Sequence, residues 1–137
     1  MRRSRRPAAS PGGTGSRAEG DRIATGRVYD EPRPEDGKRV LVMRLWPRGV
    51  RKERVSRWLR ELGPEKPLMQ SFLRGETSWD EYRRRYLAGL GRPEAQAALA
   101  ELRRLAQQGR VTLLCWCADE QRCHRSLLRE HVLRHGL

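Results

Sequence analysis

Residues 111–128 read Val-Thr-Leu-Leu-Cys-Trp-Cys-Ala-Asp-Glu-Gln-Arg-Cys-His-Arg-Ser-Leu-Leu, an apolar run, a short polar loop and the start of an amphipathic helix in direct succession. This order constrains the chain more than any other feature, because it places all three cysteines at one strand-to-helix junction. A strand that feeds a helix through a short loop aims backbone N–H groups and the positive end of the helix dipole at one point, where anions bind. Cys117 and Cys123, His124 and the two arginines Arg122 and Arg125 then border an anion-friendly spot.

Other segments fit around that junction. Ile23 to Tyr29 suits a first strand, and residues 30–37, rich in Pro, Asp and Gly, suit a turn. Arg39-Val-Leu-Val-Met-Arg-Leu is a near-continuous apolar run of strand length, the pattern of a strand covered on both faces, and Trp46-Pro-Arg-Gly stops it. From about Val50 to Gly109 the periodicity is helical. Val55, Trp58, Leu59 and Leu62 fall at i, i+3, i+4 and i+7, and Gly63-Pro64 ends that segment. A short stretch with Leu68, Met69, Phe72 and Leu73 follows. Thr77 or Ser78 then caps a helix with Trp79, Tyr82, Tyr86 and Leu90 on one face, and Pro93 opens the next, striped by Ala95, Leu99, Leu102 and Ala106. Val111 to Cys117 is the clearest strand and Arg125 to His135 the last helix. Apolar strands separated by helices predict a small α/β domain with a mostly parallel sheet, helices packed on its faces and more helix than strand.

Length allows one domain, expected over residues 23–137. Residues 1–22, built from Arg, Ser, Pro, Gly and Ala, read as a disordered basic tail. Formal net charge is +13; six Arg against Glu19 and Asp21 put +4 on the tail and leave +9 on the rest. Such a surface attracts small anions or nucleic acid without naming either, and one Phe and three Tyr offer little for base stacking. An odd cysteine count, clustered rather than spread, fits a reducing, cytoplasmic setting. No apolar run has the length of a membrane span, and Met1-Arg-Arg-Ser-Arg-Arg leads into no apolar signal core, so neither membrane insertion nor export is expected.

If the two apolar strands are parallel, the Trp46 turn and the thiol loop share the carboxyl-end rim, where ligands of open parallel sheets gather. Arg44, Arg48, Arg125 and Ser126 are the candidate anion-binding residues; Cys117, Cys123 and His124 are the candidate catalytic ones. A thiolate near a helix amino terminus and beside Arg and His gains nucleophilicity. The spacing of cysteine-based phosphatases is missing, since Arg122 comes one residue too early after Cys117, whereas sulfur or acyl transfer demands less of the spacing. The same thiols also suit ordinary half-buried positions, or a Cys117–Cys123 disulfide switch. Cys115, Cys117, Cys123 and His124 spell a four-ligand zinc set as well, but Cys115 sits inside an apolar strand and no second ligand pair comes from elsewhere; the expectation is therefore no metal and no cofactor. His131 and His135 suit structural roles on the last helix.

The Arg-Leu-Trp-Pro-Arg-Gly string at residues 44–49, the Trp79, Tyr82, Tyr86 helix and Cys115-Trp-Cys with Cys123-His-Arg-Ser-Leu-Leu resemble the YeaO-like proteins, domain-of-unknown-function family 488 of small bacterial proteins, from about Ile23 to the last helix. The resemblance implies a compact cytoplasmic α/β domain and carries no established reaction. That family usually has Asp before Arg44, where this chain has Met43, and some of its members lack the Cys-His-Arg cluster. The reading of the whole is a small α/β protein with an anion-binding pocket and a reactive cysteine of the sulfur- or acyl-transfer type. The alternative is a non-enzymatic basic module for nucleic acid or an acidic partner.

Overall fold

A computed structural model describes residues 22–117 and 119–136; residues 1–21 of the expected tail lie outside the described residues. Strands β1 (Ile23–Arg27), β2 (Lys38–Leu41), β3 (Arg57–Trp58) and β4 (Val111–Cys115) form one parallel sheet in the order β1-β4-β2-β3. The helices are α1 (Lys66–Leu73), α2 (Trp79–Gly89), α3 (Pro93–Gln108) and α4 (His124–Arg134). The fold is the expected α/β arrangement, with helix well in excess of strand.

β4 takes the centre because all five of its side chains are buried, and no polar alternation would let one face meet water. Ile23 pairs with Val111 on one side, and Lys38 with Val111 on the other. Alternation then sorts the apolar side chains into two layers. Ile23, Val40, Val111 and Leu113 join Tyr82, Tyr86, Leu99, Leu102 and Leu128 under the helices, while Val28, Leu41 and Leu114 meet Val50, Trp46, Val55 and Trp58 on the opposite face. The helices gather on the first face; the segment between β2 and β3 covers the second.

Helix starts follow local chemistry. The Ser78 hydroxyl accepts from the Glu81 N–H at the head of α2, with Asp80 and Glu81 in its first turn, and Pro93 occupies the first turn of α3. One expected helix is absent. Residues 55–62 form no α-helix; strand β3 and a single 3-10 turn at Arg60–Leu62 stand there instead, after another at Lys52–Arg54. The open edge of β2 explains the difference: Ser56 N–H donates to Arg39 O (2.7 Å) and Leu59 N–H to Leu41 O (2.9 Å). The helical spacing also misleads, because Leu59 and Leu62 enter the helix-side core while Val55 and Trp58 enter the other. β2 itself stops at Leu41, short of the expected Leu45, and Trp58 Nε1 donates to Met43 O (2.7 Å) as the chain leaves the sheet.

Candidate functional site

The carboxyl ends of β2 and β4 meet at a cavity of about 460 Å³. Met43, Arg44 and Leu45 after β2 form one wall, and Cys115, Trp116 and Cys117 at the end of β4 form another. Met69, Phe72 and Leu73 of α1 and Tyr82 of α2 close it from the helix side. The two segments that had to share a rim therefore do share it, through residues 43–45 rather than through the Trp46 turn. Leu45, Leu73 and Trp116 are exposed at the mouth, so the entrance is apolar while Arg44, Asp119 and Arg122 bring charge to its wall.

Behind the cavity the strand end and the start of α4 bring three thiols and an imidazole together. Cys115 Sγ lies 3.8 Å from Cys117 Sγ, brought close by the bend at Trp116 that follows β4. His124 Nδ1 is 3.9 Å from Cys115 Sγ and 3.8 Å from Cys123 Sγ, and His124 Nε2 bonds to the Val42 carbonyl. A carbonyl can only accept, so the His124 proton sits on Nε2 and the Nδ1 lone pair faces the sulfurs. Tyr86 packs edge-on against the imidazole with centroids 5.5 Å apart, and its hydroxyl donates to Leu62 O.

Cys115, Cys123 and His124 are buried, whereas Cys117 is half-buried. Burial pushes the His124 pKa down to about 4, so the ring is neutral near pH 7. Hydrogen bonding with Cys115, then with Cys123, draws the Cys117 thiol far below its ordinary value, helped by the Arg125 charge; the same contacts push Cys115 and Cys123 up. The anionic form is therefore favoured at Cys117 over the two buried thiols, with Cys115 Sγ–H donating toward it.

The expected anion-binding residues separate. Arg44 lines the cavity, with Nε donating to Gly63 O (3.2 Å). Arg48 is exposed and not on the cavity wall; its carbonyl accepts from the Tyr29 hydroxyl. Arg125 is 1% exposed and is turned onto the thiol loop, donating from Nη1 to Cys117 O (2.9 Å), and is thereby withdrawn from the cavity. The Ser126 hydroxyl donates to Glu120 O (2.6 Å), also away from it. Of the expected catalytic residues only Cys117 is on the wall and open to a ligand; Cys123 is buried beneath it, and His124 reaches the wall while buried. Met69, Phe72 and Tyr82 join the wall beyond the expected set, and Arg122 of the thiol loop stands on it too. Arg122 had a signal in its place within the thiol loop; the others carry none, since only the tertiary fold brings α1 and α2 to the strand ends.

Fold and site together define a small parallel α/β domain with a thiol–imidazole cluster at its strand ends. The chain belongs to the DUF488 family: the DUF488-N3a branch, described as the active DUF488-N3 subclade, matches residues 23–136. It is 37% identical over 111 residues to the uncharacterised proteins Mb3100c of Mycobacterium bovis and Rv3073c of Mycobacterium tuberculosis, covering 80% of this chain and 92% of each relative. It is 32% identical over 106 residues to the uncharacterised YeaO of Escherichia coli, covering 76% of this chain and 90% of that protein. No solved structure matches the chain. Among the described residues no helix is long and apolar enough to cross a membrane.

Proposed function

We propose that this protein is a cysteine-dependent group-transfer enzyme in which Cys117 is the nucleophile, acting on a ligand with an apolar body and an anionic group. The observation that carries this reading is positional: Cys117 is the half-buried thiol on the wall of an otherwise apolar cavity that Arg44 and Arg122 also line. An apolar pocket with a few polar groups is the usual form of a small-molecule site. Burial of Cys115 and Cys123 restricts them to supporting Cys117. His124 positions rather than shuttles protons, because both of its ring nitrogens are engaged inside the protein.

The chemistry this supports is acyl or sulfur transfer. For an acyl donor, the Cys117 sulfur bonds to the carbonyl carbon as that carbon's bond to its leaving sulfur or oxygen breaks, and the leaving group departs with the electron pair. For a persulfide donor, Cys117 takes the terminal sulfur and the donor leaves as its thiolate. Alkylation of the chelator-treated full chain with iodoacetamide, mapped by mass spectrometry, tests the common requirement. Cys117 is expected to be modified first and faster than glutathione at pH 6, where an ordinary thiol is almost wholly protonated. Modification of Cys117 no faster than glutathione would overturn the reading. An acyl-thioester or a persulfide donor then decides the reaction type by the mass left on Cys117.

A further inference from the structure

We infer that Cys115, Cys123 and His124, closed from the cavity side by Cys117, form a binding site for a thiophilic divalent cation of the zinc class. The donor atoms of the first three lie within 4.8 Å of one another, and all three residues are buried. Three sulfurs and one imidazole nitrogen are a standard tetrahedral donor set for such an ion. Zinc–sulfur bonds of about 2.3 Å and zinc–nitrogen bonds of about 2.0–2.1 Å give tetrahedral edges of about 3.5–3.8 Å between donors. The Cys115–Cys117 separation of 3.8 Å and the sulfur–Nδ1 separations of 3.8 and 3.9 Å match those edges to within about 0.4 Å. Cys115, Cys123 and His124 are the compact part of the set; the Cys117 sulfur meets it at Cys115, and rotation of that half-buried Cys117 side chain would bring it in as the fourth donor.

Two further features point the same way. His124 donates its Nε2 proton to the Val42 carbonyl, the outer hydrogen bond that metal-binding histidines use to fix their tautomer and ring orientation, and it leaves the Nδ1 lone pair facing the sulfurs. Arg125 lies buried beside the loop and pairs with the Cys115 and Cys117 carbonyls, so a positive charge stands next to the net negative charge of three thiolates and a dication. The sequence argued against this set because Cys115 belongs to an apolar strand. Its place as the last residue of β4 removes the objection, since its sulfur projects out of the strand end toward Cys117 and His124.

Cys117 serves both readings, as a free thiolate in the metal-free chain and as the fourth donor when an ion is bound. Titration of the reduced, chelator-treated full chain with Co²⁺ is expected to develop sulfur-to-metal charge-transfer absorption and tetrahedral d–d bands that saturate at one equivalent, and Zn²⁺ is expected to bleach them. Cys117→Ser, at the half-buried position, keeps the fold and is expected to shift the d–d bands and weaken Co²⁺ binding by about tenfold or more, since even outer-shell changes cost metal sites that much. His124→Ala is expected to lose the tetrahedral bands; should that variant unfold, protection in the unaltered protein gives the answer, because one equivalent of Zn²⁺ should slow alkylation of all three thiols together. Absence of charge-transfer bands together with unprotected thiols in folded, unaltered protein would overturn the site. A slow Cys117 in protein that binds Co²⁺ normally would overturn the group-transfer reading instead.

Discussion

The two rims of the β2–β4 pair bury polar groups in different ways. At the amino rim Arg39 and Asp36 form a buried ion pair (2.7 Å), and the remaining Arg39 nitrogens donate to Arg54 O and Asp30 O. Asp36 also accepts from the Arg33 N–H, and its carbonyl accepts from the Thr112 hydroxyl. At the carboxyl rim Arg125 is also buried, yet its Nε is the only buried side-chain nitrogen or oxygen without a partner among the described residues, and two thiols meet one imidazole, and a third meets Cys115, at weak sulfur hydrogen-bond distances. Native interiors pair nearly all such groups, so a rim that leaves them underused is the one arranged for something besides folding. One end of the sheet is closed by its hydrogen bonds; the other is left with donors and a cavity.

The strongest test of this contrast is Asp36→Ala. Removing the carboxylate leaves the Arg39 guanidinium buried and unpaired, which costs about 3–5 kcal/mol. Urea denaturation should register that loss, while the Cys117 alkylation rate in the folded fraction stays unchanged. A changed rate would show that the two rims are coupled and the contrast false.

Glycines separate the rims at a smaller scale. Gly37 has φ 64° and turns the chain into β2, and a Cβ there would collide with the Arg110 carbonyl. Gly63 has an ordinary backbone but lies against the cavity wall, where a Cβ would stand 2.6 Å from Arg44 N and 2.9 Å from Met43 C. Gly63→Ala is expected to cost about 1–3 kcal/mol, as overpacking does, and to displace residues 43–44. It should therefore alter Cys117 alkylation, whereas Gly37→Ala should destabilise without altering it. Equal effects of the two variants on the thiol would sink the distinction.

Alkaline pH probes the carboxyl rim alone. Burial raises the pKa of Tyr82 and Tyr86 well above 10, so both stay neutral in the folded chain while an unfolded tyrosine ionises near 10. The unfolded state then releases protons that the folded state keeps. The contribution of the tyrosines is full below pH 10 and falls as pH rises beyond it, by at most about 1.4 kcal/mol per unit for each, on top of the loss from the raised Cys115 and Cys123 thiols. Tyrosinate absorbance should show these two phenols ionising only together with unfolding; their titration in the folded protein would show the helix side of the cavity to be open to water.

The sequence discloses these rims unequally. The carboxyl rim is legible because β4, the thiol loop and α4 are contiguous; the strand period that would place Cys115 and Cys117 on one face ends at Cys115, and the bend at Trp116 brings the two together instead. The amino rim is not legible in the sequence, since the Arg39 guanidinium depends on the Arg54 and Asp30 carbonyls, which only the fold brings to it. Residues 55–62 were misread for a related reason: the bare edge of β2 competes for their backbone, and periodicity contains no record of an edge. Within the site, basic character alone could not tell Arg48 from Arg122. Position relative to the cavity separates them, and that position depends on where the chain turns after Met43.

The smallest expected effect follows from that last difference. Arg48→Ala removes an exposed side chain whose backbone carbonyl, the acceptor for Tyr29, remains in place. Stability should change by no more than about 0.5 kcal/mol, as at other surface positions away from special features. An anionic thiol reagent such as iodoacetate should modify Cys117 of this variant at the unaltered rate. Arg44→Ala and Arg122→Ala each remove a cation from the cavity wall and should slow iodoacetate relative to neutral iodoacetamide, an effect that salt screens. If Arg48→Ala slowed iodoacetate as much as they do, attraction would arise from the overall basic surface, and the carboxyl rim would lose its claim to a built anion site.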